Sequence, residues 1–161
     1  MVAKPHLLTE EGLERLTLEL DELKTVGRER LAERLAMALE DGQDDDFVDN
    51  AELEAARNEQ SFLEGRIEQL EEILNNYSLI SEEKIIKSRV SLGAFVTIQE
   101  EGEDEKETYH LVGPAEADPV EGCISNVSPL GIELLGKKKG ESVEIDAPNG
   151  TISFKIVRIK Y

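Results

Sequence analysis

From Thr9 to Glu40 the chain places Leu13, Leu16, Leu20, Leu23, Leu31, Leu35 and Leu39 at helical intervals among charged residues. That spacing predicts a long amphipathic helix, with Thr9 as its N-cap ahead of Glu10 and Glu11. A second run, Leu53, Ala56, Gln60, Leu63, Ile67, Leu70 and Leu74, alternates steps of three and four, the a/d pattern of a coiled-coil seam. A polar residue inside such a seam, here Gln60, is expected to fix the register. Only Asp41 to Asp49 separate the two runs. So short a connection forces the helices antiparallel, and at roughly 30 residues each they form a finger about 45 Å long.

After Ser78 the period changes. Ala94, Val96 and Ile98, then Tyr109 and Leu111, then Ile152, Phe154 and Ile156 alternate with polar positions, which predicts strands. Glu100 to Glu107 reads as a polar turn, and Asn149-Gly150 as a tight hairpin turn that tolerates positive φ. Ser128-Pro129, followed by Leu130, Leu134, Leu135 and Gly136, has the N-cap, first-turn proline, apolar face and closing glycine of a short helix. The expected fold class is α+β: an antiparallel helical coiled-coil hairpin at 1–77 with a tip at 41–49, then an antiparallel sheet domain with a short helix at 80–161.

Charge sharpens this picture. The formal net charge is -18, and residues 1–78 carry 8 basic and 21 acidic side chains against 10 and 15 in 79–161. Such a surface repels free nucleic acid as a whole, so a partner should present a basic surface, metal ions, or both. The absence of Trp and an aromatic content of 4% argue against a large aromatic-walled substrate cavity. No segment approaches a membrane span and no basic-then-apolar export signal opens the chain, so a soluble cytoplasmic protein is expected. The single cysteine, Cys123, excludes an internal disulfide, and His6 and His110 lack companions at ligand spacing. All three are read as structural.

The chemistry concentrates at the connection. Glu40, Asp41, Asp44, Asp45, Asp46, Asp49 and Glu52 put seven carboxylates into thirteen positions without an intervening Lys or Arg. Asp is a good turn and capping residue, but turn formation alone does not demand this density. Hard cations such as Mg²⁺ favour oxygen ligands and take one or two carboxylates alongside water or phosphate, so the tip suits a metal shared with another protein. An EF-hand is excluded: counted from Asp44, the sixth position is Asp49 in place of Gly, and the twelfth is Ala55 in place of Glu.

Around this tip run Asp46, Asp49, Asn50, Ala51 and Glu52, then Ala55, Ala56, Arg57 and Gln60, then Glu64, Gly65, Arg66 and Ile67. Further on stand Asn126-Val127-Ser128-Pro129, Leu135-Gly136-Lys137, Gly140, Asn149-Gly150 and a closing Ile156, Ile159 and Tyr161. In this order the chain resembles the Gre transcript elongation factors of bacteria over nearly its whole length. The resemblance implies an FKBP-like C-terminal domain that docks at the rim of the RNA polymerase secondary channel while the finger enters it. It further implies that Asp46 and Asp49, with Asp44 and Asp45 beside them, help hold a second Mg²⁺ shared with the polymerase and not bound tightly by the isolated chain. Arg57 then faces the 3′ segment of the nascent RNA, and Ser128 and Pro129 contact the polymerase. On this reading the protein is a monomer with no active site of its own, stimulating cleavage of backtracked RNA by the polymerase.

Three departures keep a second reading open. Gln43, Asp44 and Asp45 lengthen the tip after Gly42, Asp49 replaces the family's glutamate, and Leu53 stands where an aromatic is usual. Aspartate-rich tips also belong to Gre homologues that inhibit the polymerase, so an inhibitor in the same channel is the alternative. A peptidyl-prolyl isomerase, suggested only by the fold, lacks the aromatics for an apolar pocket. An acidic coiled-coil adaptor that mimics nucleic acid is the remaining competitor.

Overall fold

The computed structural model describes residues 4–41, 51–80 and 85–161, which fall into two compact units, Leu13–Asn75 and Met1–Gly12 with Asn76–Tyr161. The helical unit contains most of α1 (Glu10–Glu22), a π-helical turn at Leu23–Gly27, α2 (Arg28–Asp41) and the antiparallel α3 (Ala51–Asn75). Leu16, Leu31 and Ala38 from one arm and Ala56, Ile67, Leu70 and Ile73 from the other are buried.

The π turn has a reason in the spacing. Leu23 to Leu31 is a step of eight residues, which at about 100° per residue would rotate the apolar stripe some 80° off the seam. A π turn absorbs one extra residue and returns Leu31 to the seam. Here the arms come close: a Cβ at Gly27 would lie 2.9 Å from Leu63 Cδ1.

Two expected seam residues are corrected. Ala38 is 1% exposed while Leu39 is 53% exposed, because the seam takes a step of three after Leu35 where a second step of four drifts off it. Gln60 is also exposed, so no buried amide sets the register; an amide left in water avoids the cost of burying it unpaired. Ion pairs span the arms instead. Arg28 grips Glu64 through Nε–Oε1 at 2.9 Å and Nη2–Oε2 at 2.7 Å, and Arg66 grips Glu19 at 2.6 and 2.9 Å. Lys24 pairs with Glu71, and Arg34 with Glu59 and Glu52. The Arg28 fork holds the Glu64 carboxyl below its ordinary range. Being half exposed, these pairs add little stability each, but forked geometry specifies register.

The second unit is not confined to the C-terminal half. β1 (His6–Leu8) pairs in parallel with β2 (Tyr77–Leu79), so residues 4–12, assigned by sequence to the finger, cluster with the sheet domain. Beside them is a buried carboxylate. Glu116, on the 3₁₀ turn Pro114–Glu116, accepts from Thr9 N at 2.8 Å and Thr9 Oγ1 at 2.5 Å, while Thr9 Oγ1 accepts from Gly12 N at 2.9 Å. Thr9 thus caps α1 as its sequence position predicts, and Glu116 holds the cap. Gly12 has no room for a side chain, since a Cβ would sit 1.6 Å from Glu116 Oε1.

The main sheet has the order β5-β4-β3-β7-β6, from β3 (Phe95–Glu100), β4 (Lys106–Val112), β5 (Cys123–Ser125), β6 (Ser142–Ala147) and β7 (Gly150–Lys160). It is mixed where an antiparallel sheet was expected, because β5 joins β4 in parallel after the excursion through the 3₁₀ turn. α4 (Pro129–Leu134) contributes Leu134 to a core with Val90, Ala94, Val96, Ile98, Leu111, Val143 and Ile156. In the β6–β7 hairpin Ala147 pairs with Gly150, so the turn residues are Pro148 and Asn149. Only Gly150 takes positive φ, at 129°, and Asn149 does not.

Tyr109 offers a local pH probe. Its hydroxyl donates to Glu107 Oε2 at 2.7 Å, and that bond, with some burial and the nearby negative charge, pushes the phenol up to about 12. A raised folded pKa means the bond stabilises the fold below the unfolded value near 10 and is lost as pH climbs from there through 12. Absorbance titration at 295 nm should show one late-titrating tyrosine, and Glu107→Gln should return it toward 10.

Candidate functional site

Asp44, Asp45, Asp46 and Asp49 lie outside the described residues. What is described is their frame: α2 ends at Asp41 and α3 begins at Ala51, and antiparallel pairing puts both ends at the same end of the helical unit. Of the surrounding acids, Glu52 bonds Arg34 at 3.3 Å and thus serves the hairpin, whereas Glu40 is exposed. Among the described residues no three His, Cys, Asp or Glu side chains converge to hold a metal.

Arg57 is exposed on α3, next to the fully buried Ala56. α3 carries two arginines, and they differ in employment. Arg66 is clamped to Glu19, but Arg57 has no ion pair among the described residues. An uncommitted guanidinium at this position suits phosphate contact.

Ser128 and Pro129 divide their roles. The Ser128 hydroxyl donates to Ser125 O at 2.7 Å and accepts from Gly131 N at 3.1 Å, so it is employed inside the fold as the cap of α4. Pro129 is exposed, and Val127 and Ile132 beside it are 62% and 57% exposed. The exposure of Val127 and Ile132 escaped the sequence reading, although Ile132 three residues after Pro129, on the same side of a helix, is the signal that would have found it.

His110 stacks on Phe95 with ring centroids 4.1 Å apart and planes 10° off parallel, and Cys123 is buried and unbridged. No helix among the described residues is long and apolar enough to cross a membrane.

A helical hairpin closed by an acidic connection and a small mixed-sheet unit with an exposed apolar corner define a two-part protein whose sequence matches two family models in succession. Residues 6–79 match the transcription elongation factor N-terminal family, and residues 85–161 match the transcription elongation factor GreA/GreB C-terminal family. The chain is 45% identical over 159 residues to the transcription elongation factor GreA of Caldanaerobacter subterraneus subsp. tengcongensis, covering 99% of each. It is 42% identical over 157 residues to that of Clostridium kluyveri, covering 98% of this chain and 97% of the relative. Among solved structures, the GreA factor homolog 1 (Gfh1) protein of Thermus thermophilus aligns over 98% of this chain and 100% of that one, at 32% identity and a TM-score of 0.42. The chain belongs to the GreA/GreB family of transcription elongation factors.

Proposed function

We propose that this elongation factor binds RNA polymerase through its sheet unit, inserts the helical finger into the secondary channel, and stimulates cleavage of the 3′ end of backtracked RNA. The observation that carries this reading is the aspartate-rich connection at one end of an antiparallel hairpin, in a chain whose curated relatives are named GreA. Those relatives favour an elongation factor over the inhibitor alternative.

The donor set fits Mg²⁺, since carboxylate oxygens are its preferred protein ligands. When bound, Mg²⁺ shared with the polymerase lowers the pKa of a coordinated water and stabilises the leaving oxygen in phosphodiester hydrolysis. Asp46 and Asp49 would hold it, with Asp44 and Asp45 adding negative charge around them. Arg57 would contact the phosphates of the RNA 3′ segment. Pro129, Val127 and Ile132 would dock on the polymerase, with Ser128 holding their helix in place. The chain brings ligands to an active site that belongs to the polymerase and has none of its own; it works as a monomer, in the cytoplasm.

Addition of the purified chain and Mg²⁺ to a reconstituted, backtracked elongation complex should shorten the transcript from its 3′ end. RNA that stays intact while synthesis slows would overturn this reading and identify an inhibitor.

A further inference from the structure

Independently of that proposed role, the outer face of β3, β4 and β7 gathers cationic side chains in a protein that is acidic as a whole. Val96 and Ile98 point into the core, so Phe95, Thr97 and Gln99 of β3 face outward. The register sets His110, Thr108 and Lys106 of β4 beside them on one side, and Lys160, Arg158 and Lys155 of β7 on the other. On a regular strand Lys155 would face away from Arg158 and Lys160. A β-bulge that opposes Thr97 with Arg158 and Ile98 with Ile156 passes over Val157 and brings all three cations to one face.

Four basic side chains, Lys106, Lys155, Arg158 and Lys160, therefore share this face in a chain of net charge -18. None of them is in an ion pair among the described residues, and none is opposite an Asp or Glu in the register; the acids of this face, Glu144 and Asp146, stand on the edge strand β6 opposite Ser153 and Thr151. Like charges gathered on neighbouring strands of one sheet face cost stability, and nothing in folding requires them here. Between them is an aromatic surface. Phe95, 39% exposed and stacked on His110, lines a groove of about 440 Å³ with Arg158, Lys160 and Tyr161.

We propose that this face binds single-stranded nucleic acid, with Lys106, Lys155, Arg158 and Lys160 contacting phosphates and Phe95 packing against a base. Charge alone would equally suit an acidic protein. The aromatic groove decides between them, because base stacking on a side chain combined with a cationic track is how sheet surfaces hold single strands. The cost of splaying bases out of a duplex restricts the ligand to strands already unpaired.

The test is fluorescence anisotropy of labelled 12-nucleotide oligo-U and oligo-dT with the full chain at low salt. Arg158→Ser with Lys160→Ser should weaken binding about 10-fold and flatten the slope of log K against log salt by roughly 1.4, since each phosphate contact contributes about 0.7. Phe95→Thr should weaken binding about 10-fold through lost stacking, while Lys138→Ser with Lys139→Ser should leave it unchanged. Amide chemical-shift changes in the unaltered chain should map to β3, β4 and β7, which guards against variants that misfold. No binding, equal loss in the Lys138/Lys139 variant, or indifference to Phe95→Thr with full displacement by polyglutamate would each overturn the proposal, the last in favour of an acidic protein partner.

Discussion

Exchanging Asp46 and Asp49 together for Asn should slow cleavage of a backtracked transcript about 100-fold, the scale of losing preorganised ligands and charge at a reacting phosphate. Asn keeps the size and turn propensity of Asp but removes the charge, and a neutral amide oxygen holds Mg²⁺ more weakly than a carboxylate does. Entry into the channel should persist, because it would depend on the helical arms and on the sheet unit, which the exchange leaves untouched. Competition against the unaltered chain for the polymerase should show affinity preserved while the cleavage rate collapses. Raising Mg²⁺ should recover part of the rate, as mass action refills a weakened site. Retained cleavage in the double variant would remove the tip carboxylates from the mechanism; lost affinity with unchanged cleavage at saturation would make them docking residues.

Gly131→Ala should destabilise the sheet unit by about 3 kcal/mol, the upper end of the cost of overpacking. A Cβ at Gly131 would meet Ser125 O at 2.0 Å, Ser125 C at 2.9 Å and Asn126 Cα at 3.0 Å, all backbone atoms that cannot rotate away. α4 cannot retreat cheaply either. Ser125 O also accepts from Ser128 N at 3.0 Å and from the Ser128 hydroxyl, and Leu134 at the far end of α4 is fully buried in the core. Circular dichroism should record a melting transition lowered by roughly 15 °C, given about 4–8 °C per kcal/mol for a unit of this size. Two other glycines calibrate the measurement. Gly136→Ala has open space but φ of 79°, so it should cost only about 1 kcal/mol. Gly65→Ala, within α3 and with nothing in reach, should stabilise the hairpin by about 0.5–1 kcal/mol. A Gly131→Ala variant that melts no lower than Gly136→Ala would show that α4 can lift freely from β5.

The helical arms were legible because a seam leaves a periodic record, and the cap at Thr9 and the Ser128-Pro129 helix start because capping chemistry is local. Leu39 and Gln60 were misplaced for a related reason. Both continue the apolar spacing on paper, but the seam is chosen by contact with the opposite arm, which buries Ala38 and leaves Gln60 in water. At the candidate site, Arg57 and Pro129 could be picked out by resemblance, yet their availability could not. Whether an arginine is clamped, as Arg66 is, or uncommitted depends on a residue 47 positions away.

Periodicity and local chain chemistry by themselves determined the two long helices, their antiparallel pairing, the strand-rich second half and the acidic connection, because each depends on neighbours within a few turns or on the length of one loop. Tertiary structure alone decided that β1 joins β2, that Thr9 meets Glu116 across 107 positions, and that β5 lies parallel to β4. It also decided that Lys155, Arg158 and Lys160 share a face, since that depends on a bulge set by the pairing of β7 with β3. These features arise from contacts between segments distant in the chain, where a buried carboxylate must find its donors and a strand its partner, and no local pattern encodes which ones meet.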